Sequence, residues 1–187
     1  MKKFTNSPGS ILLGSELALL YIDKKIENAA IVSLDSLFSL PDFRINEKIM
    51  SLVVKIRSIA EKKFILQTRN LEHHIWSFAT QGNLMDFYRE ELHEREKYEY
   101  PPYFLFIKIT CGGDKGKVLA EMESVKKMLE PYVLHIFPAF IERVKGKFMM
   151  NGVIKLPTRE WPSSDLHAKL TSLPPHFVVK VDPERLL

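Results

Sequence analysis

Apolar residues recur along the chain at two spacings, and these spacings predict an ordered series of strands and helices. Short apolar runs at residues 11–13 and 29–32 are typical of buried strands. From residue 45 to residue 60 the apolar positions fall at steps of three and four, which predicts an amphipathic helix. Residues 64–66 follow at once and predict a further strand. Strand, strand, helix, strand is the order expected for part of an α/β sheet.

The predicted helix at 45–60 also has a polar pattern. Asp42 or Asn46 is suited to cap its start. Lys48, Lys55 and Lys62 repeat every seven residues, which predicts an exposed basic stripe along it.

A second amphipathic helix is predicted at residues 84–98, with an apolar line formed by Leu84, Tyr88 and Leu92. Glu91 and Arg95 stand four residues apart, which favours an ion pair on the helix surface. The helix has to end before Pro101 and Pro102, because proline lacks the amide hydrogen that a helix needs. We place a domain boundary at this double proline.

The remaining segment alternates between strand and helix signals. Strands are predicted at 103–110, 133–137, 148–156 and 177–181, with helices around 118–129 and 166–173. The order β-α-β-β-α-β is that of the ferredoxin-like fold. The predicted fold class is therefore α/β (α+β). Residues 1–82 are predicted to form the first domain, residues 83–102 a linking helix that ends at the double proline, and residues 103–187 the C-terminal domain.

Composition narrows the class of protein. Of the 187 residues 45% are apolar and 27% charged, as in ordinary soluble globular proteins, and no apolar run reaches the roughly 20 residues that span a bilayer. The first residues lack a clean leader-peptide pattern. The single cysteine, Cys111, excludes an internal disulfide and a cysteine-based zinc site, and a cytoplasmic location is expected.

Catalytic and metal chemistry has little support in the sequence. There is no GxxxxGK[ST] phosphate loop, and the glycine-rich segment 111–116 has the character of a plain turn. His73 and His74 are adjacent, so on a helix they would point in different directions and could not easily share an ion. We predict no catalytic residue, no metal ligand and no cofactor.

Positive charge is concentrated in the second half of the chain. The net charge of +4 belongs entirely to residues 101–187, which hold 13 basic and 9 acidic side chains. The basic residues Arg143, Lys145 and Lys147 alternate beside Phe148, which predicts that they share one face of a strand, and Lys155 and Arg159 follow. Cations beside an aromatic ring suit the phosphate backbone of DNA or an acidic peptide. On this chemistry the candidate DNA-phosphate ligands are Arg143, Lys145, Lys155 and Arg159. A solubilising hairpin tip is the competing interpretation.

Several segments resemble the PriA (primosomal protein N′) family of replication-restart DNA helicases. DFYREELHEREKYEYPPYFLFIKI, residues 86–109, is similar to the family's "FY..EL..R....YPPF" signature. FILQT at 64–68, GKFMMNGVIKLPTR at 146–159 and VKVDPERLL at 179–187 are similar to other family segments, in the same order. Upstream, SILLGS at 10–15 and LFSLPDFRINE at 37–47 are similar to helicase motifs. The resemblance implies an incomplete RecA-like helicase half-lobe followed by the family's C-terminal domain.

The same resemblance shows where the motor chemistry is degenerate. The family's "QVAGRAGR" run, whose arginines reach the ATP phosphates, aligns with residues 55–62. Its arginine positions hold Ile59 and Lys62, and its glycine positions hold Ser58 and Glu61. Lysine cannot make the planar two-pronged contact of arginine, so ATP-dependent activity is not expected from this chain by itself.

The resemblance also implies partners: forked or single-stranded DNA, the acidic tail of single-stranded-DNA-binding protein, and other primosome proteins. Lys147 and Asn151 stand at the positions that resemble the tail-binding pair, where Lys147 would hold a carboxylate and Asn151 would hydrogen-bond the peptide. Two alternatives stay open. The chain could be the C-terminal piece of a split helicase, or a protein-binding scaffold without a nucleic-acid role.

Overall fold

The computed structural model describes residues 4, 7–32, 34–39 and 42–186. Pro41, from the segment similar to a helicase motif, and Leu187 lie outside the described residues. The chain divides into two compact units, Met1–Phe87 and Tyr88–Leu187. The division falls within one helix. The assignment of these parts to a helicase remnant and a PriA-like C-terminal domain stays a prediction.

The first unit contains a small parallel sheet with helices. Its elements are a 3-10 segment Glu16–Tyr21, β1 Ile26–Ile31, α1 Asp35–Phe38, α2 Ile45–Ile59, β2 Ala60–Leu66 and α3 Ile75–Gln81, followed by the start of α4 Leu84–Lys97. β1 and β2 pair in parallel. The predicted helix at 45–60 and the strands at 29–32 and 64–66 are confirmed, apart from their end residues. The face of α2 that carries Ile49, Met50 and Val53 packs against Leu34 and Ile75.

Two predictions for the first unit are wrong. Residues 11–13 form no strand, and Ile11 is 93% exposed, because an apolar run becomes a strand only where a partner strand is available. The basic stripe does not continue along α2, since the helix ends at Ile59 and Lys62 lies in β2. There Lys62 Nζ lies 2.7 Å from Glu27 Oε1 on the neighbouring strand.

Helix α4 confirms the prediction of a helix at 84–98 but buries a different line of side chains. Tyr88 and Leu92 are exposed, whereas Phe87, Glu91 and Arg95 are buried. These three residues recur every four positions and so share one helix face. The two charges can be buried because Arg95 Nε and Nη2 both donate to Glu91 Oε1, at 3.2 and 3.1 Å.

The second unit has the predicted β-α-β-β-α-β order. Its elements are β3 Phe104–Gly113, α5 Lys115–Met128, β4 Leu134–Val144, β5 Lys147–Pro157, a 3-10 segment Thr158–Glu160, α6 Ser164–Thr171 and β6 Val178–Val181. The sheet order is β4-β5-β3-β6, with all neighbours antiparallel. The ferredoxin-like, α+β prediction is confirmed.

Strand ends differ from the prediction in two places. β3 continues through Cys111 to Gly113, and the helix start follows directly, with Asp114 Oδ1 accepting from the backbone N–H of Gly116 at 3.0 Å. β4 continues past Pro138, with an irregularity between Pro138 and Arg143. Glycine and proline, which in the sequence predict that a strand ends, therefore also occur inside these two strands.

The hydrophobic core of the second unit lies on one face of its sheet. Helices α5 and α6 pack there against alternating strand residues, including Ile107, Ile109, Met150 and Ile154. The other face, which we call the outer face, carries the intervening residues of each strand. Among the described residues, no helix is long and apolar enough to cross a membrane.

Candidate nucleic-acid and peptide interface

A tight hairpin presents the basic turn predicted from the sequence. β4 and β5 are joined by Lys145 and Gly146, whose φ angles are +51° and +80°. Positive φ at both positions is characteristic of the type I′ turn, whose twist matches that of the flanking strands. The side chains of Arg143, Lys145 and Lys147 are exposed, and none of them has an ion-pair partner among the described residues.

The alternation of the hairpin cations in the sequence predicted that they share one face, but in the structure they do not. Arg143 is paired across the hairpin with Phe148, and Lys147 is paired with Val144. Residues directly opposite each other in an antiparallel pair lie on the same face, so Arg143 and Lys147 point to opposite faces. The prediction failed because alternation holds within one strand, and here a turn intervenes.

Arg143 shares the helix-bearing side of the hairpin with another cation. Phe148 belongs to the core on that side, and Lys115 Nζ from the start of α5 lies 5.3 Å from its ring centroid. This is the distance of a cation–π contact. The tip therefore carries positive charge toward both faces.

The outer face carries a set of lysines that the sequence analysis missed in part. Lys108 on β3 stands opposite Lys180 on β6, and Lys155 on β5 stands opposite Phe106. Lys147 is on the same face by alternation. Among the register-paired outer-face positions of the described strands, none is Asp or Glu.

Lys180 perturbs the lysine opposite it, Lys108. Partial burial, and then the neighbouring charge of Lys180, lowers the pKa of Lys108 from its ordinary value of 10.5. Like charges placed directly opposite on adjacent strands repel. An anion bound between them would relieve this repulsion.

Lys155 and Arg159 have different surroundings. Lys155 Nζ lies 5.1 Å from the ring centroid of Tyr100 and 5.5 Å from that of Phe106, and it donates to the carbonyl of Tyr98 at 3.4 Å. Its ammonium is thus held in place by the protein. Arg159 is exposed in the 3-10 segment after β5.

Asn151 and Lys147 are not brought together at one point. They lie on the same face of β5 but four residues apart, about 13 Å along a strand. Lys147 is exposed, while Asn151 is 1% exposed at the centre of the sheet. Thr110 Oγ1 donates to Asn151 Oδ1 at 2.9 Å, and the buried Asn151 Nδ2 has no hydrogen-bond partner among the residues that the structure describes. The role of this pair in peptide binding stays a prediction.

In the first unit, the motor-motif positions are occupied by structural contacts. Ile59 ends α2, and Lys62 is paired with Glu27 across the two-stranded sheet. Thr68, the last residue of the FILQT segment, donates from Oγ1 to Asp35 Oδ1 at 2.7 Å. The side chains of Lys62 and Glu27 are 63% and 66% exposed, so theirs is a surface ion pair.

A cavity of about 330 Å³ lies beside these positions in the first unit. Its lining is mostly apolar and consists of Met50, Val53, Val54, Arg57, Ser58, Phe78, Ala79, Gly82 and Leu84. Arg57 is the one charged residue of this lining, and its Nη1 donates to the carbonyl of Ala79, another lining residue, at 2.9 Å.

Comparison with known proteins gives one consistent result. No protein-family model matches the chain. Relatives named replication restart protein PriA are 27% identical over 164 residues in Borreliella burgdorferi and 28% identical over 183 residues in Thermotoga maritima. These alignments cover 81% and 94% of this chain and 25% of each relative. In Bacillus subtilis the identity is 22% over 200 residues, which covers 100% of this chain and 24% of the relative.

The chain thus spans about a quarter of the length of the curated relatives it matches. The motif-based resemblance to the PriA family, over nearly the whole of this chain, is confirmed.

Proposed function

We propose that this chain is a non-catalytic, PriA-like replication-restart protein that binds branched DNA through the outer face and the hairpin tip of its second unit. The observation that carries the proposal is the charge of the outer face, where Lys108, Lys147, Lys155 and Lys180 occur and no register-paired position of a described strand holds a carboxylate. A sheet face of this kind attracts phosphate whatever the base sequence.

The lysines differ in what they offer to a phosphate. Lys180 and Lys147 are exposed and have no ion-pair partner in the described part of the chain. Lys108 is half-buried and adds charge beside Lys180 on the neighbouring strand, although its Nζ also lies 3.5 Å from the carbonyl of Arg185. The ammonium group of Lys155 is held against two aromatic rings, so it attracts a phosphate through its charge more than by direct contact. Lys180 is therefore the residue whose removal should weaken DNA binding most clearly.

Binding of the acidic tail of single-stranded-DNA-binding protein is a second part of the proposal, and it rests on the family resemblance. Lys147 is exposed and free to hold a carboxylate. The burial of Asn151 means that its amide reaches a peptide only if a neighbouring side chain moves aside. Its unpartnered Nδ2 would then donate to a peptide carbonyl.

The non-catalytic part of the proposal is supported by the motor-motif positions. Ile59 carries no charge, and Lys62 is engaged with Glu27. Loss of arginine at such a position costs several powers of ten in phosphoryl-transfer rate. A DNA-stimulated ATPase that appears only when a second polypeptide is added would instead support the split-helicase alternative.

The test is fluorescence anisotropy of a labelled forked DNA, titrated with the full chain at several salt concentrations. We expect affinity to fall steeply with salt, and Lys180→Ala to weaken binding and reduce the slope of log K against log salt by about 1. Lys127→Ala is the matched control, because Lys127 is an exposed lysine on α5, away from the outer face. Salt-independent affinity, or equal effects of the two substitutions, would refute the proposal. Absence of DNA binding would favour the scaffold alternative.

A further inference from the structure

Three potential metal ligands from distant parts of the second unit meet at one point. They are Cys111 on β3, Glu121 on α5 and His176 in the loop before β6. Cys111 Sγ lies 3.5 Å from Glu121 Oε2, and His176 Nε2 lies 3.1 Å from the same oxygen. All three ligand atoms lie within 4.8 Å of one another.

These distances suit a single tetrahedral ion. With zinc–ligand bonds of about 2.3 Å to sulfur and about 2.1 Å to nitrogen or oxygen, tetrahedral angles place sulfur and oxygen about 3.6 Å apart, and nitrogen and oxygen about 3.4 Å apart. The observed separations of 3.5 and 3.1 Å differ from these values by a few tenths of an ångström. The third separation, between Cys111 Sγ and His176 Nε2, is at most 4.8 Å, against about 3.6 Å for tetrahedral bonds. A shift of His176 toward the sulfur by up to about 1.2 Å would therefore complete the site.

The kind of ligand atoms selects the metal. A thiolate and an imidazole favour zinc and exclude Mg²⁺ and Ca²⁺, which require oxygen ligands. The cysteine count argues only against a site built from several cysteines, and it does not show that Glu121 and His176 meet Cys111 in the fold. From these ligand atoms and their separations, and against the prediction of no metal ligand, we propose that Cys111, Glu121 and His176 bind one Zn²⁺ ion with three protein ligands and one water.

Exposure around the site is graded in the way that an open metal site requires. Cys111 is 1% exposed and belongs to the core, so it forms a dry inner wall. The side chains of Glu121 and His176 are 27% and 48% exposed. An ion between them has an open side toward solvent, where the fourth ligand is water, as in zinc sites with three protein ligands.

The second oxygen of Glu121 has a partner of its own. Lys117 Nζ lies 3.9 Å from Glu121 Oε1. Glu121 can therefore bind the ion through Oε2 alone while Lys117 orients the carboxylate from the other side. Such outer partners fix the orientation of ligands in metal sites. The positive charge of Lys117 also weakens binding, so we expect lower affinity than in a site with four protein ligands.

Cobalt titration of the metal-free full chain tests the proposal, because Co²⁺ replaces Zn²⁺ and absorbs light. We expect one equivalent of Co²⁺ to give a thiolate-to-cobalt charge-transfer band and the intense visible bands of tetrahedral cobalt, and Zn²⁺ to abolish both. His176→Ala should weaken binding by at least about tenfold, since the loss of even an outer partner costs that much. His167→Ala is the matched control, because His167 is an exposed histidine on α6.

Testing the buried ligand Cys111 requires a variant that removes the sulfur without leaving a cavity in the core. Cys111→Ser should remove the charge-transfer band, with circular dichroism confirming that the variant is folded. Three results would overturn the proposal: no charge-transfer band at equimolar Co²⁺, a band that survives in folded Cys111→Ser, or His176→Ala binding as tightly as the unmodified chain. None of these outcomes depends on DNA binding, so this inference can fail while the proposed function stands.

Discussion

The buried ion pair of helix α4 allows a quantitative test of how this chain tolerates charge in its interior. The side chains of Arg95 and Glu91 are 9% and 6% exposed, and two guanidinium nitrogens share one carboxylate oxygen. Nη1 also donates to the carbonyl of Pro101 at 3.3 Å. In Glu91→Ala the guanidinium would remain buried after the loss of this carboxylate. A buried charge left in this way typically costs about 3–5 kcal/mol.

The expected loss can be separated from that of an ordinary surface pair. Asp165 and Lys169 have the same spacing of four residues, but the side chain of Asp165 is 59% exposed. Asp165→Ala should therefore cost at most about 1 kcal/mol. The double variant Glu91→Leu with Arg95→Met should be much more stable than Glu91→Ala, because it removes both buried charges together.

Urea denaturation in a Trp76→Phe background provides the assay, since Trp161 is then the tryptophan that reports on the second unit. With an m value of about 2 kcal/mol/M, Glu91→Ala should lower the midpoint by about 2 M. A loss below about 1 kcal/mol for Glu91→Ala would show that water reaches Arg95, and the reasoning from burial would be wrong. Equal losses for Glu91→Ala and the double variant would show that the buried charge of Arg95 adds no cost once the carboxylate of Glu91 is removed.

Three further predictions concern single residues. Asp114→Ala should lower the stability of the second unit by about 1 kcal/mol, measured by urea denaturation, because the side chain caps α5, while Asp114→Asn should retain most of it. Gly152→Ala should cost about 1–3 kcal/mol in the same assay, since its Cβ would lie 2.9 Å from Leu134 Cδ1; an unchanged midpoint would mean that the core yields there. The hydroxyl of Thr68, followed by the backbone amide of Arg69, holds the pKa of Asp35 below its ordinary value of 3.8. Its stabilising effect should be present above about pH 3.9 and be lost as pH falls through the folded pKa, and Thr68→Val should raise the pKa measured by NMR.

The order of elements in the second unit could be predicted because each strand and helix carries its own periodicity. The strand at 103–110 alternates, and Val118, Met122 and Val125 recur at helical spacing, whatever the rest of the chain does. Such local periodicity predicts each element correctly because it depends only on which side of that element is buried. It does not state which elements become neighbours.

The features of the fold and site that could not be predicted from the sequence depend on such neighbours. Lys108 and Lys180 stand 72 positions apart, and their opposition depends on β3 pairing with β6. The buried line of α4 was missed because a count of apolar residues treats Glu91 and Arg95 as exposed, whereas their mutual contact helps to make burial possible. The opposite orientation of Arg143 and Lys147 follows from where the turn falls, which alternation alone does not locate.

The opposition of Lys108 and Lys180 has a consequence for the conditions under which the protein is handled. The native state holds the two ammonium groups on adjacent strands, whereas the unfolded chain lets them separate. Dissolved salt screens this repulsion and should raise the melting temperature. The same salt competes with phosphate and should weaken the DNA binding that we propose. The melting temperature and the affinity for DNA are thus expected to respond to ionic strength in opposite directions. A high-salt buffer that stabilises the folded protein is therefore one in which the proposed DNA binding is weakest.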